Sequence, residues 1–514
     1  MNRNLVKYAA IVLILCQISW AQSQSNTKSK IECTAQILTH DAAHKADVQM
    51  LIGNVEFSHE GAVCYCDTAF FNEKNNTVDA YGENLVVHLN DSVLLYGNHI
   101  LYDGNSKIAI ITKDTVVLTD ETTTLYTDRL VYDRNTERAY YNTYGRVVSG
   151  NSTLISRQGW YYTVSNDVYF KDSVVLVTPQ YKVESDTLRY NTLTEIAYFL
   201  GPTVISSDNN YMTCNYGWYN TYSNVCQFED SARMYNNTQC LSADTIWYDL
   251  EHDLGVARSN VYIYDSTQNV YFTSNYAEYQ KEKGYAYLID SAVAVMIEND
   301  DSLFVHGEQM WASFDSAQEL EYMYTYYNVR FYRNDIQGAC DSLSYNAIDS
   351  IILMIGSPIL WTGENQLLSD TIKLLLKNGQ ISQMQFINNA FIVADVFKEL
   401  KFNQIKGANM LVDFENNNIS TVFIDANAEC LYYVQEDDKS LIGVQKSVSA
   451  SMRVFFEDNE VSKIRFYHQV KGEMYPEDKL PADKLSNFKW LNIYRPIDRF
   501  DIFRAEAYNA AIEN

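Results

Sequence analysis

His40 and His44 stand four residues apart in "THDAAHKAD", a spacing that sets two imidazoles on one turn of a helix as half of a metal site. No third ligand accompanies them, so the pair reads as solvated. The acidic runs "ENDDS" (298–302) and "QEDDKS" (435–440) offer oxygen ligands for Ca²⁺ between strands. They lack the ordered ligand spacing of a calcium loop and read as turns. The sequence contains no G-x-S-x-G elbow, no H-E-x-x-H and no G-x-x-x-x-G-K-S/T loop. Cys64 and Cys66 share one face of a strand, where they either pair with cysteines on adjacent segments or serve as small buried hydrophobes. These groups do not converge on a reaction; neither catalysis nor a metal or other cofactor is expected.

The elements that carry these residues are strands. Tyr is the most unusual component, with 41 residues among 514, while Gly (20) and Pro (6) are too few to punctuate several linked domains. β-branched and aromatic side chains suit a pleated, half-buried surface. The fold class is therefore all-β. The formal charge of −26 repels polyanions, and no basic stripe offsets it, so nucleic acid is excluded as a partner.

Residues 1–21 read as a signal peptide: Arg3 and Lys7, the apolar run "YAAIVLILCQISW", and small residues ending at Ala21. Leu15 before Cys16 argues against a lipid anchor. Residues 22–44 are expected to be an N-terminal linker, 45–470 the repeat region, and 471–514 a tail that ends in a short amphipathic helix.

A five-residue phrase, Asp or Asn first and an aromatic last, recurs along the repeat region. It is "DTAFF" at Asp67, "NHILY" at Asn98, "DRLVY" at Asp128, "DTLRY" at Asp186, "NYGWY" at Asn215, "DTIWY" at Asp244, "NYAEY" at Asn275 and "DSLSY" at Asp341. With weaker copies at Gln158, Glu308 and Asp370, successive starts lie 28 to 33 residues apart. Between the phrases, Gly or Asn leads into alternating apolar positions, as in Gly53-Asn54-Val55 and Asn260-Val261, a pattern suited to corners of positive φ. Each unit is thus two strands with two corners. Alternation places Asp186, Leu188 and Tyr190 on one face and Thr187 and Arg189 on the other. The opening Asp or Asn is expected to cap the bend through amides two residues on. No unit can bury its apolar face alone, so about thirteen units of about 30 residues must stack around a shared core. At about 4.8 Å per rung the stack would run about 60 Å.

"LIGNVEF" (51–57), "SDTLRY" (185–190) and the ending "KGEMYPEDKLPADKLSNFKW" (471–490) resemble the OstA-like (organic solvent tolerance) family, over about residues 45 to 470. The resemblance implies an elongated, twisted β-jelly-roll or β-trough solenoid, exported to the periplasm, either free there or associated with the outer membrane. It further implies a non-enzymatic role in lipopolysaccharide transport, with lipid A acyl chains held against an apolar lining. Other β-jelly-roll transport proteins would join by edge-strand addition, and an outer-membrane translocon is a further implied partner. The chain is several times longer than the small bridge proteins of this family and lacks the C-terminal barrel of its outer-membrane member. Inward-reading candidates for the lining are Val55, Phe57, Leu188, Tyr190, Ile246, Tyr248, Val261, Ile263, Leu343 and Tyr345. Two alternatives stand beside this reading: an outer-membrane β-barrel, whose wall also alternates, and a structural, adhesive or enzymatic β-solenoid.

Overall fold

The computed structural model describes residues 30–504 apart from 41–46, 90–92, 120–121, 163, 180, 208–209, 298–300, 318, 378–379, 416–417, 437–439 and 458–459. The signal peptide, His44 and most of the expected terminal helix lie outside these residues, as does part of each acidic run. The chain divides into two units. One ends at Asn237 and takes back Ser242–Leu254; the other comprises Thr238–Leu241 and the chain from Gly255 onward.

The first unit is an antiparallel meander of long strands, such as Val48–His59, Ala62–Asn72, Lys182–Asn191 and Ile196–Ser206. Their connections follow from side-chain chemistry. Asn191 Oδ1 accepts hydrogen bonds from the amides of Leu193 (3.1 Å) and Thr194 (2.9 Å), and Asn220 and Asp249 close their turns in the same way. This is Asx-turn geometry. The residue that forms it follows the phrase; it is not the Asp or Asn that opens it.

The opening residue does something else. Every long strand bends at its middle, and the register slips there: between Ser185 and Leu188, between Leu200 and Thr203, between Ile52 and Val55. On alternate strands the bend is made by left-handed residues, among them Gly53 and Asn54 (φ 79° and 46°), Asp172 and Ser173 (66° and 57°) and Asp230 and Ser231 (56° and 64°). The expected positive-φ corners are present. Against them, on neighbouring strands, sit the phrase-opening residues. Asp67 Oδ2 accepts the amide of Glu83 at 3.1 Å, and Asn215 Nδ2 donates to Asp230 Oδ2 at 3.1 Å. The opening Asp or Asn thus braces the corner of an adjacent strand, where the sequence reading had it cap its own.

The slip also changes side-chain phase. Along Lys182–Asn191, Val183 and Ser185 are buried before the corner, and Leu188 and Tyr190 after it, while Glu184 and Asp186 are exposed. Asp186 therefore does not share the buried face of Leu188 and Tyr190, as strict alternation had it. The bulge resets the count, so both limbs of a strand turn their apolar side chains to the same interior. Leu51, Val55, Phe57, Ala69, Phe71 and Leu95, drawn from both sides of the corners, form one packed cluster. Residues 32–40, expected to be linker, include two short strands, Glu32–Thr34 and Ile37–His40, which pair along Val48–His59. Ile31 is buried in that core and Cys33 and Ala35 pack against it, whereas Ile37–His40 stays exposed.

The second unit repeats this plan. Its bends carry Asp290 and Ser291 (61° and 60°), Gly356 and Ser357 (82° and 54°), and Asn388 and Asn389 (60° and 51°). Val329, Cys340, Met354, Ile372, Phe386 and Met452 belong to its interior cluster. Both units are β-jelly-roll stacks of bent strands, as the repeat implied. After Lys471–Tyr475, which pairs with Leu441–Glu457, the chain forms 3-10 turns at Glu477–Lys479, Asn492–Tyr494 and Asp501–Phe503. It crosses the outside of the sheet as a strap.

The strap explains why one limb of this unit is apolar on both faces. Ala339, Ile359 and Trp361 pack outward against Leu491 and Tyr494, whereas their neighbours Cys340 and Leu360 face the interior. Phe391, Phe402, Leu431 and Tyr433 take Leu485, Phe488 and Trp490 on the same outer side. Register runs Gln337–Trp361–Gln366–Val393–Gln404 straight across the strands. Two of these glutamines grip strap backbone: Gln404 bonds Asp483 O and Leu485 N, and Gln366 bonds Lys489 O and Leu491 N. Gln337 Oε1 accepts from Arg495 Nε at 2.7 Å.

Candidate functional site

The candidate site is the interior between the limbs. Position +2 of each phrase lies near the corner and +4 near the hairpin end, and both point inward. In the first unit Leu188 and Tyr190 are each 5% exposed, Ile246 is 1% exposed, and Val55 and Phe57 lie in the same kind of position past their own corner. Tyr248 points the same way and is half-buried. In the second unit Val261 is buried, while Ile263, Leu343 and Tyr345 are half-buried, with Leu343 packed on the interior cluster. All ten predicted residues sit on the inward side. Most of them are sealed by neighbours within their own unit.

Tyr190, Tyr219 and Tyr248 show why Tyr ends the phrase. Tyr219 OH donates to Asn224 Oδ1 (3.2 Å) and Tyr248 OH to Asp253 Oδ1 (2.9 Å), while Tyr190 OH meets Thr221 Oγ1 at 3.4 Å. The ring lies inside and the hydroxyl ends in the hairpin, an arrangement that suits an amphipathic side chain at a lip. Burial raises the Tyr190 and Tyr219 phenols above their ordinary pKa, so both stay neutral at any physiological pH.

The interior is not uniformly tight. Leu85, Val116 and Val174 are almost inaccessible, whereas Met212, Gly217, Tyr219 and Met234, the inward residues of the last strands before Asn237, are half-buried. Register puts Gly217 opposite Phe199 and Phe228, in the column held by Leu188. The space beside Gly217 is taken up by its neighbours: the Phe199 and Phe228 rings stack with centroids 6.2 Å apart, and a Cβ on Gly217 would meet Phe228 and Gln227 O. In the second unit the early strands behave alike: Phe272 and Tyr279 are half-buried and Met296 is half-exposed, although Ala277 beside them is sealed. Sequence reasoning missed these residues. The phrases do not signal them: the inward Ala277 of "NYAEY" is buried, and the space beside Gly217 of "NYGWY" is filled by Phe228.

Among the described residues no cluster of His, Cys, Asp and Glu could hold a metal ion. Cys64 and Cys66 are buried in the core and neither is in a disulfide. A surface cleft lined by Thr115, Tyr126, Asp128, Tyr144 and Arg146 is too polar for acyl chains. No helix among the described residues is long and apolar enough to cross a membrane.

Residues 27–186 match the model of a family described as OstA-like protein, and over that span the resemblance read from the repeats holds. Among solved structures, the chain is similar to LptH from Pseudomonas aeruginosa, described as the LptA homologous periplasmic component of the conserved lipopolysaccharide transport device. The likeness has 16% identity, covers 20% of this chain and 76% of that chain, and has a TM-score of 0.18. No curated protein matches the chain.

Proposed function

We propose that this chain is a non-enzymatic periplasmic component of lipopolysaccharide transport that holds lipid A acyl chains between its paired limbs. The observation that carries this reading is the two-limbed interior itself, apolar on both sides, in a chain whose first third matches OstA-like proteins. Shielding acyl chains from water is worth about 0.8 kcal/mol per CH₂. Side chains already fill most of the interior, so lipid enters where inward side chains stay partly exposed: around Met212 and Met234 in the first unit, and around Phe272 and Met296 in the second. Partners join by β-augmentation at strand edges. Ile37 and Leu38, 56% and 59% exposed on the short N-terminal strands, offer such an edge.

The outer faces argue against the barrel alternative. Lys182, Glu184 and Arg233 are exposed there, and a lipid-facing wall would place its apolar residues outward.

Photo-crosslinking in cells from Met212 and Tyr248 tests the proposal. Crosslinks to acyl chains are expected from these positions and none from the outward Thr187 and Thr245. The reverse pattern, or no lipid adduct at any inward position, overturns it.

A further inference from the structure

The last described stretch of the strap has two faces. Inward, Ile502 is 1% exposed and packs on Val293 and Val295, while Tyr494 and Leu491 pack on Trp361. Outward, Ile493 and Ile497 are each 76% exposed, Phe500 68% and Phe503 46%. A folded chain does not ordinarily leave four large apolar side chains in water within one short segment.

The segment is also held in shape. Asp498 Oδ1 accepts the amides of Phe500 (2.7 Å) and Asp501 (2.9 Å), Asp501 Oδ2 accepts that of Ile497 (3.1 Å), and Arg504 Nη2 donates to Ile493 O (3.0 Å). The Phe503 ring lies 4.7 Å from that of His306, between centroids. Both Asp carboxylates are thus spent on local turns. The apolar tips are fixed by a knot anchored to the sheet through Ile502 and Arg495.

Charge separates this knot from the rest of the molecule. Residues 493–504 contain Arg495, Arg499 and Arg504 against Asp498 and Asp501, a balance of +1 in a chain of −26, with Lys489 just before them. Arg495 points inward to Gln337 and Gly363. Lys489, Arg499 and Arg504 are exposed; Arg504 Nε pairs with Asp501 Oδ1 at 3.3 Å, and the Arg499 guanidinium, 4.8 Å from the Phe500 ring, sits beside the tips. Apolar tips surrounded by cations are what an anionic bilayer surface accepts: the tips enter the acyl boundary and the cations stay among the headgroups. A protein pocket that received the same tips would have to strip water from Arg499.

We infer that the knot at residues 493–504 docks the protein on an anionic phospholipid bilayer surface. The site lies outside the limb interior and does not depend on what the interior carries.

The test is flotation of the full protein, purified from exporting cells, with vesicles of phosphatidylethanolamine and phosphatidylglycerol. Binding is expected, weakening with salt and absent from phosphatidylcholine vesicles. Ile497→Asp and Phe500→Asp should each weaken it roughly tenfold, the value of one buried apolar side chain. Leu193→Asp, at a residue 78% exposed in the first unit, should change nothing. No flotation by the unaltered protein overturns the proposal. So does equal flotation by the double variant, including the case where that variant loses a protein partner instead. Acyl crosslinking from Tyr248 should survive the double substitution, which separates failure here from failure of the transport reading.

Discussion

Leu485 gives its backbone N–H to Gln404 Oε1 at 2.8 Å, across 81 residues of sequence, while Gln404 Nε2 donates back to Asp483 O at 2.8 Å. One fully buried side-chain amide thus serves the strap as an adjacent strand would. Gln404→Leu keeps the bulk and removes both bonds, at a cost of about 1–3 kcal/mol for each group left unpaired. Hydrogen exchange at the Leu485 amide should quicken and protease should cut the strap first, while the first unit keeps its protection.

His306 couples the strap to pH. Its Nδ1 donates to Ala292 O at 2.8 Å and its ring meets Phe503. Burial lowers its pKa from the ordinary imidazole value, Arg330 adds to that, and the Ala292 carbonyl and Glu308 oppose it. The folded state therefore binds the proton less tightly than the unfolded chain. Stability from this group is complete above the unfolded pKa of about 6.5 and is lost as pH falls below it. Denaturant midpoints of the second unit should drop between about pH 7.5 and about pH 5.5, and His306→Gln should flatten that slope.

A corner glycine and a hairpin glycine differ in what they tolerate. Gly356 has φ +82°, and a Cβ there would sit 2.5 Å from Asp341 Cβ; Gly150 has φ +53° with nothing within 4 Å. Gly150→Ala should cost only the left-handed backbone penalty, about 1–2 kcal/mol. Gly356→Ala should cost clearly more, because the bracing Asp341 must also move. Thermal unfolding of the two variants checks the order.

Tyr248→Phe separates packing from hydrogen bonding at the lip. Loss of the bond to Asp253 should lower stability by about 0.5–1.5 kcal/mol. Lipid adducts from a probe at Met212 should persist, because the apolar ring remains. Loss of those adducts in a stably folded variant would tie the hydroxyl to ligand binding.

Much of this architecture is legible because it is local and repeated. The spacing of the phrases exposed the stack, and alternation within "LRY" and "IWY" correctly turned Leu188, Tyr190 and Ile246 inward. Alternation failed at Asp186, because a bulge resets phase and a one-residue count does not register it. The brace between Asp67 and Glu83 was hidden for a related reason: its partners lie 16 residues apart, on different strands. The strands at 32–34 and 37–40 are too short to show a period. The strap shows no period, and its partners Gln337, Gln366 and Gln404 resemble ordinary strand polar residues until the fold aligns them. The partly exposed Met212, Met234 and Met296 were hidden because alternation gives a side chain's direction and not how completely its neighbours cover it.

The phase reset at each corner has a consequence for how such a molecule tolerates insertions. A residue gained or lost within one limb inverts side chains only as far as the next bend, where the count begins again. Errors stay local, and the remaining layers keep their orientation. That lets the spacing wander by several residues from copy to copy, and it lets whole layers be duplicated or dropped without rewriting their neighbours.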